Sequence, residues 1–364
     1  MGKNTVSLND VARRAGVSIG TASRVLNGNP RVSASASSAV QAAILELGYQ
    51  PDSVARSMRK KDGEGRGGLW SGNIGLVLAG MGSSMLRVPL IIDLVDALQR
   101  EAAQHGFHLM VAGQPREGTL PQMLIDRKVE GMIMFGELSR EQCRQIVEVM
   151  PLVGIGNDFE AAGVSSVNVD NRGAILNAVR SLRQAGKRRI AFVNKEAEQP
   201  DFIRRFQAYQ EAVREFDLPE LSIVMPKNES GSLKQAEQIP PDMEPLISAL
   251  FDVPTPPDAL LVANDWQAIG VYRALEKRHL RPGTDVAIIG FDNDVRVCDA
   301  LNPRLSSIQY PAEEIGSFAF RLLLAALQNS DRSAVSTTLL PGKLIERESF
   351  CSGSISAPDF QALI

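Results

Sequence analysis

The sequence predicts a small all-α head followed by an α/β body of two lobes, each built on a doubly wound parallel sheet. Three observations support this fold class. Short amphipathic stretches with helix-capping residues fill residues 7–50, a glycine-rich run lies at residues 60–68, and apolar strand-like runs then alternate with amphipathic helices. With 364 residues, the chain is long enough for two or three domains.

In the head, capping residues predict three short helices. Ser7 and Asp10 form the start of a capping box, and Gly16 ends the first helix because glycine tolerates a left-handed C-cap. Ser18 caps a second helix over residues 19–26, and Ser33 caps a third. Apolar residues at helical spacing form the inward faces of the first and third helices: Leu8, Val11, Ala12, Ala15, Val40, Ala43, Ile44 and Leu47.

The turn between the first two helices is short and lined by small residues. Ala12 and Gly16, four positions apart, let the two helices cross closely. This is the helix-turn-helix arrangement, in which the second helix enters the major groove of DNA. A generic small helical bundle shares much of the pattern, so spacing alone leaves both interpretations open.

The net charge of the whole chain, −3, hides an asymmetry between head and body. Residues 1–66 hold ten basic and five acidic side chains, which leaves +5 on the head and −8 on the rest of the chain. A basic head on an acidic body is typical of proteins that bind nucleic acid. The alternative explanation of the head's charge is an ordinary solvated surface.

Four short sequence motifs lie in the head, at residues 8–18, 21–28, 32–33 and 47–51, and a fifth follows at residues 54–58. The first four motifs closely resemble the headpiece of the LacI/GalR family of bacterial transcription regulators, and the fifth resembles that family's hinge helix. The match covers the whole head. It departs from the family at residues 34–39, a run of alanine and serine where charged residues are usual, and in a long linker over residues 58–74.

The resemblance implies which residues contact DNA. Base edges are read from the exposed side of the second helix by Ile19, Gly20 and Arg24; Gly20 offers no side chain, and Arg24 suits a bidentate contact to guanine. Met58 stands where relatives place a leucine that wedges into the minor groove, and helix packing is its alternative role. Because Gly20 has no side chain, direct readout is expected to depend on Arg24, Ile19 and Ala55. The hydroxyl or amide donors suited to phosphates are Ser18, Thr21, Ser23, Asn27 and Ser33, and Tyr49 completes the predicted set.

From residue 74 onward, the alternation of strands and helices predicts parallel sheets with helices on both faces. The expected strands are 74–78, 107–111, 131–135, 152–155, 189–193, 259–262 and 286–290, and the expected helices are 90–104, 171–185, 202–216 and 267–277. Two such series predict two lobes with a cleft between them. Ligands of such sheets bind beyond the carboxyl ends of the strands.

Polar residues follow several of these strands and are therefore candidates for a binding site. Fixed carboxylate, amide and guanidinium groups match the hydroxyls of a sugar-like ligand, although turn chemistry at a strand end also favours Asp and Asn. Trp266 is a candidate for stacking on a ligand ring, or for packing. The predicted effector-binding set is Arg87, Asn157, Asp158, Arg205, Asn264, Trp266 and Asp292.

Four sequence motifs in the body extend the family resemblance. Residues 166–171, 186–192, 262–265 and 289–293 look like the family's sensor domain, which is similar to periplasmic sugar-binding proteins. The resemblance implies that Arg205, Asn264 and Asp292 contact the effector. The loop after the first strand, residues 80–89, lacks the family's usual Asn-Pro-aromatic run, so the identity of the effector does not transfer from relatives.

We therefore predict a DNA-binding headpiece at residues 1–50, a hinge and linker at 51–73, a two-lobed effector-binding and dimerisation domain at 74–351, and a tail at 352–364. The expected function is that of a transcription regulator, specifically a repressor, that binds a palindromic operator as a homodimer. A sugar or sugar derivative bound between the lobes would control it. We expect a cytoplasmic protein with no cofactor, no metal and no membrane contact.

Two alternatives start from the α/β body. A sugar- or nucleotide-binding enzyme is disfavoured because Gly80 and Gly82 lack the third glycine of a dinucleotide fingerprint and because the chain holds three histidines. A transport-type binding protein is disfavoured by the basic head and the absence of a signal-peptide pattern. The three widely spaced cysteines, Cys143, Cys298 and Cys351, are predicted to be free thiols.

Overall fold

The computed structural model describes residues 6–26, 32–47, 71–79, 86–114, 120–136, 138–157, 159, 162–196, 200–224, 240–328 and 335–351. The chain divides into two compact units, Met1–Ser71 and Gly72–Ile364. The predicted hinge helix and linker, the tail after residue 351, and the site candidates Asn27, Tyr49, Ala55, Met58 and Asp158 lie outside the described residues.

The first unit contains the helices α1 (Leu8–Ala15), α2 (Ile19–Leu26) and α3 (Ala34–Leu47). These bounds confirm the prediction of three helices. The helices enclose a small core of Val11, Ala12, Ala22, Val40 and Ala43, each at most 2% exposed. Because the side chains at the centre are small, the helices approach closely, as a helix-turn-helix requires.

The caps of the head have the geometry that the sequence predicts. The Asp10 amide donates to Ser7 Oγ at 3.3 Å, and the Ser7 amide donates to Asp10 Oδ2 at 2.9 Å, so the capping box closes in both directions. Gly16 adopts φ 67°, which glycine reaches without strain. The Thr21 amide donates to Ser18 Oγ at 3.1 Å, which fixes the start of α2.

The second unit is the α/β body. Its strands are β1 (Asn73–Ala79), β2 (His108–Gln114), β3 (Gly131–Gly136), β4 (Leu152–Ile155), β5 (Ser165–Asp170), β6 (Ile190–Asn194), β7 (Leu221–Val224), β8 (Ala259–Val262), β9 (Ala287–Asp292), β10 (Ser306–Gln309), β11 (Thr337–Pro341) and β12 (Lys343–Ile345). Its helices are α4 (Pro89–Gln104), α5 (Gln122–Ile125), α6 (Arg140–Val149), α7 (Asn171–Gln184), α8 (Pro200–Glu215), α9 (Glu244–Phe251), α10 (Asp265–Lys277), α11 (Val295–Cys298) and α12 (Ala312–Gln328).

The strands form two sheets, which confirms the predicted pair of parallel-sheet lobes. The first lobe holds a parallel sheet in the order β11-β5-β4-β3-β1-β2. The second lobe holds the order β12-β10-β9-β8-β6-β7, in which the edge strand β12 runs antiparallel to β10. Strands β3, β4, β6 and β8 are buried along their length or nearly so, as expected when helices cover both faces.

The chain crosses between the lobes after β5, after β10, and between β11 and β12. The three crossings lie side by side: a Cβ added at Gly342 would meet Ile308 Cγ2 at 2.9 Å and Ala174 Cβ at 3.1 Å. The polar residues at the carboxyl ends of both sheets face this region, because parallel strands end at the same edge of a sheet.

Candidate DNA-reading surface and effector cleft

Helix α2 presents the side chains predicted to read DNA. Ile19 is 46% exposed, Ser18, Gly20 and Arg24 are also exposed, and Ala22 on the opposite face is fully buried. The Arg24 guanidinium lies along the open surface beside Gly20, since a Cβ at Gly20 would be 3.9 Å from Arg24 Nη2. Gly20 and the Arg24 guanidinium therefore lie on the same exposed face of α2.

The basic residues that the structure describes in the head, Arg13, Arg14 and Arg24, fall into two groups. Arg13 pairs with Asp10 at 2.9 Å, and Arg14 pairs with Glu46 at 2.6 Å, so both contribute to the surface of the helical fold. Among the head residues that the structure describes, no carboxylate lies within ion-pair distance of Arg24. An exposed arginine without a protein counter-charge is suited to a guanine edge or a phosphate.

Other predicted DNA contacts surround α2. The Ser18 and Thr21 hydroxyls lie 2.9 Å apart at the start of the helix. Ser23 is half-buried, and Ser33 is exposed where it caps α3, with the Ala36 amide donating to Ser33 Oγ at 3.3 Å. The Ser18 and Ser33 hydroxyls have a structural role as caps, and both side chains remain exposed and so accessible to phosphate oxygens.

In the body, Arg205 is the centre of the predicted cleft. It lies in the second turn of α8, not at the start of the helix as expected, and is 2% exposed. Its Nη1 donates to the Ala263 carbonyl at 2.6 Å and its Nε to Asn171 Oδ1 at 3.0 Å, while the guanidinium carbon lies 3.5 Å from the centre of the Phe291 ring. Hydrogen bonds and the ring hold the guanidinium in one orientation.

Asp292 and Asn264 occupy the carboxyl ends of the neighbouring strands β9 and β8. Asp292 Oδ1 accepts from Arg205 Nη2 at a long 3.5 Å, and its backbone has φ 105°, a strained value for a residue other than glycine. Asn264 is the N-cap of α10, with its Oδ1 accepting from the Gln267 amide at 2.9 Å. The structure thus brings Arg205, Asn264 and Asp292 together, and it gives Asn264 a capping role as well.

Burial dominates the electrostatics of this cluster. It raises the pKa of Asp292 to about 6, with the Arg205 guanidinium acting in the opposite direction. It raises the pKa of the neighbouring Asp265 to about 8, and the Asp292 carboxylate adds to that rise. Asp265 is anchored by the Ser307 hydroxyl at 2.6 Å and the Asp294 amide at 2.8 Å, so it supports the floor of the site from behind.

The first lobe contributes the turn after β4. The Gly156 amide donates to Asn168 Oδ1 at 2.6 Å, and Asn168 Nδ2 donates to the Asn157 carbonyl at 2.9 Å. Arg204, on α8 of the second lobe, donates through Nη1 to the Gly156 carbonyl at 3.2 Å. Asn157 therefore lies where the two lobes touch across the cleft.

Two predicted effector residues lie elsewhere. Arg87 and Trp266 line a groove of about 1380 Å³ together with Arg273, Asp294 and Arg296. The cluster around Arg205 does not line this groove. The indole Nε1 of Trp266 is buried and has no hydrogen-bond partner among the described residues. The structure therefore separates the predicted set into a cleft group and a groove group.

Three residues of the cleft were missed from the sequence. Asn171 links Arg205 to Asp201, donating through Nδ2 to Asp201 Oδ1 at 3.0 Å. Asn171 directly follows β5, so the rule that ligands bind beyond strand ends would have found it. Asp201 lies one helical turn before Arg205. Tyr310 follows β10, a strand whose polar sequence gave no strand signal.

Comparison with known proteins identifies both parts of the chain. The family model for bacterial regulatory proteins of the lacI family matches residues 7–52, and the model for the periplasmic binding protein-like domain matches residues 179–350. The chain belongs to the LacI family of bacterial regulatory proteins. The first match covers the helix-turn-helix head and the second covers Arg205, Asn264 and Asp292, so the family resemblance seen in the sequence is confirmed.

Relatives of this LacI-family chain match it over nearly its whole length. Catabolite control protein A from Priestia megaterium is 28% identical over 351 residues, which cover 94% of this chain and 99% of that protein. The lac repressor dimer bound to operator and the anti-inducer ONPF has a TM-score of 0.71 at 24% identity, covering 95% of this chain and 99% of that one. The CelR–cellobiose complex has a TM-score of 0.64 at 25% identity, covering 95% and 100%.

Membership of the LacI family decides between the functions that the sequence left open. The family consists of DNA-binding transcription regulators, so this LacI-family chain is a regulator and not an enzyme. Within the described parts of the chain, no helix is both long and apolar enough to cross a bilayer.

Proposed function

We propose that this LacI-family regulator is a repressor whose affinity for its operator is set by a neutral, sugar-like effector bound between the lobes of the body. The observation that carries the proposal is the pairing, in one chain, of an exposed recognition helix with a cluster of the buried Arg205 and the partly buried Asp292 at the strand ends. The first suits a DNA groove, and the second suits a small ligand rich in hydroxyls.

The DNA surface of the proposal is the exposed side of α2 and its capping serines. We assign base reading to Ile19 and Arg24, and positioning on phosphates to the serine and threonine hydroxyls around them. Gly20 and the remaining predicted contacts of the head complete the surface. We further propose that two copies of the chain bind the two halves of a palindromic site in the cytoplasm, because twofold symmetric operators match dimeric helix-turn-helix proteins.

Selection of operators from random DNA by the full chain, followed by the variant Arg24→Ala, tests the DNA surface. Loss of a bidentate contact to guanine should weaken binding to the selected site about tenfold to a hundredfold, and should relax discrimination at one base pair in each half-site. The matched control is Arg140→Ala, which removes the same charge from an exposed helix of the body. Equal affinity of Arg24→Ala and wild type for selected and random DNA would contradict the assignment.

The effector part of the proposal rests on the chemistry of the cleft. Arg205 and Asn171 are buried, Asp201 and Asp292 are partly buried, and together they provide both donors and acceptors. Arg204 pairs with Asp201 at 3.3 Å, so the two arginines balance the two carboxylates. A neutral ligand with several hydroxyls satisfies such a set without bringing an unpaired charge into it. Cellobiose, present in the CelR structure, is a ligand of this class.

A thermal-shift screen of the full chain with sugars, sugar phosphates and nucleosides tests the effector class. We expect a neutral sugar or nucleoside to raise the unfolding midpoint, and we expect the combined variant Arg205→Ala, Asn264→Ala, Asp292→Ala to abolish the shift. Arg87→Ala, in the separate groove, shows whether the groove group belongs to the same site. A shift that survives the combined variant would contradict the cleft assignment.

A further inference from the structure

The turn after β9 holds two consecutive residues in an unusual backbone conformation. Asp292 has φ 105° and Asn293 has φ 56°, so both lie in the left-handed region although neither is glycine. Such conformations cost free energy, and they persist only where the surrounding structure fixes them. Asp292 is a proposed effector contact, so whatever fixes this turn also fixes the direction of its carboxylate.

Two buried side chains bind the amides of the turn. The Asn293 amide donates to Ser307 Oγ at 3.0 Å, and the Asp294 amide donates to Asp265 Oδ2 at 2.8 Å. The Ser307 hydroxyl donates in turn to Asp265 Oδ1 at 2.6 Å, so the two side chains form one connected unit. Ser307 is fully buried and Asp265 is 1% exposed, and hydrogen bonds are strong in such surroundings. We call Asp265 and Ser307 the turn clamp.

The fold makes room for the turn clamp at one glycine of β9. A Cβ added at Gly290 would overlap Asp265 Oδ1, so a larger residue there would displace the carboxyl group. On its other side, Asp265 Oδ2 also accepts from the Cys298 thiol at 3.4 Å. The carboxyl group therefore joins the start of α10 to β10 and α11, directly behind the turn.

The side chain of Asn293 is held as well, whereas that of Asp292 is not. Asn293 Oδ1 accepts from Arg347 Nη2 at 2.9 Å, and Arg347 Nη1 donates to the Leu305 carbonyl at 2.9 Å. Among the described residues, the Asp292 carboxylate has one hydrogen bond, the long 3.5 Å contact from Arg205. The direction of this carboxylate therefore depends on the backbone of the turn more than on its own hydrogen bonds.

We propose that Asp265 and Ser307 are positioning residues for effector binding, which hold the backbone at Asn293 and Asp294 so that the Asp292 carboxylate faces the ligand. They act through Asp292 and do not contact the effector, because both are buried behind the turn. The inference rests on the proposed function, since it deepens the role of Asp292 in the cleft. Buried partners that fix a contact group in advance reduce the free energy lost on binding.

Calorimetric titrations measure the effect of the turn clamp on binding. Wild type, Ser307→Ala and Ser349→Ala are titrated with D-ribose, D-glucose, D-galactose and cellobiose, and the unfolding midpoint of each ligand-free protein is recorded. Ser349 is the matched control: it is also fully buried, but its Oγ donates to the Ile288 carbonyl at 2.7 Å, near the start of β9. Both variants should lower the midpoint, and Ser307→Ala alone should weaken the sugar that binds, by about tenfold.

Hydrogen exchange of the ligand-free proteins reports on the turn itself. Peptides that cover residues 292–295 include the two amides bound by the turn clamp. In Ser307→Ala these peptides should exchange about tenfold faster than in wild type, and in Ser349→Ala they should exchange at the wild-type rate. Equal exchange of these peptides in Ser307→Ala and wild type would show that the hydroxyl does not hold the turn, and would overturn the inference.

Substitution of Asp265 adds a test by rescue. Asp265→Ala removes the acceptor of the Asp294 amide and should weaken the sugar, whereas Asp265→Asn keeps an acceptor and should retain the wild-type Kd within about twofold. A sugar weakened as much by Ser349→Ala as by Ser307→Ala would also overturn the inference. If none of the sugars bound wild type, the proposed effector class would fall and this inference with it. If binding depended on Asp292 and not on Ser307, only this inference would fall.

Discussion

At the residue scale, the contacts of the Arg205 guanidinium fix the geometry of the cleft. Arg205 gives its hydrogen bonds to Ala263, Asn171 and Asp292, and it packs on Phe291, so its guanidinium is preorganised before any ligand arrives. Preorganisation lowers the entropy lost on binding. Substitution by lysine would keep the charge and lose the fixed geometry.

The carboxyl group of Asp265 makes stability depend on pH. Its pKa is about 8 in the folded protein against an ordinary value of 3.8, so the folded state holds a proton that the unfolded state releases. The free energy of unfolding should therefore fall as the pH rises from about 4 to about 8, by at most about 1.4 kcal/mol per pH unit from this group. Chemical denaturation of the full chain at a series of pH values measures the slope.

The variant Asp265→Asn isolates this effect. Its amide keeps a carbonyl for the Asp294 amide and a donor for Ser307, so the fold is retained while the titration is removed. The slope between pH 4 and pH 8 should flatten relative to wild type. The control Asp217→Asn, on an exposed turn, should keep the wild-type slope. An unaltered slope in Asp265→Asn would show that this carboxyl does not carry the pH dependence.

Residues differ in how well the sequence reveals them. The family motifs and the strand-end rule both point to Arg205, Asn264 and Asp292, and their role as effector contacts stays a prediction. Tyr310 was not predicted from the sequence, because an aromatic residue after an unrecognised strand reads as core. Arg87 and Trp266 were grouped with the cleft by sequence position, but both line a groove whose lining does not include Arg205, Asn264 or Asp292.

At the element scale, polar residues explain why two of the strands, β10 and β11, were not predicted from the sequence. In β10, Ser306 and Ser307 are fully buried, and their hydroxyls find partners in the Phe350 carbonyl at 2.8 Å and Asp265 at 2.6 Å. In β11, an edge strand, alternate residues are exposed. Hydrophobic periodicity detects apolar strands, so strands stabilised by satisfied polar groups escape it.

The capping box of α1 is an element whose contribution is measurable. In Ser7→Ala, the Asp10 amide loses its side-chain acceptor, and the head should lose about 1 kcal/mol of stability. Hydrogen exchange of the α1 amides in the full chain reports on the head separately from the body, and exchange should accelerate about fivefold. In the control Ser38→Ala, on an exposed turn of α3, the change should be a few tenths of a kcal/mol or less. Equal exchange in both variants would contradict the role of the box.

At the scale of the whole molecule, the charge asymmetry separates two tasks. The head carries +5 and the body −8, so the body repels DNA while the head attracts it. Fold class and family were predictable because the sequence motifs of the head are specific and because strands and helices alternate regularly along the body. The effector was not predictable, since its identity depends on the positions of a few side chains in the cleft and on the loop at residues 80–89, whose sequence departs from the family pattern.

The central claim is that effector binding in the cleft changes the affinity of the head for operator. Because coupling between two sites is reciprocal, it is measured by the Kd for the selected operator with and without a saturating concentration of the sugar found in the screen. We predict a change of at least fivefold in wild type and no change in Asp292→Ala, with binding to random DNA unaffected in both. Identical operator affinity of wild type with and without the bound sugar would contradict the account.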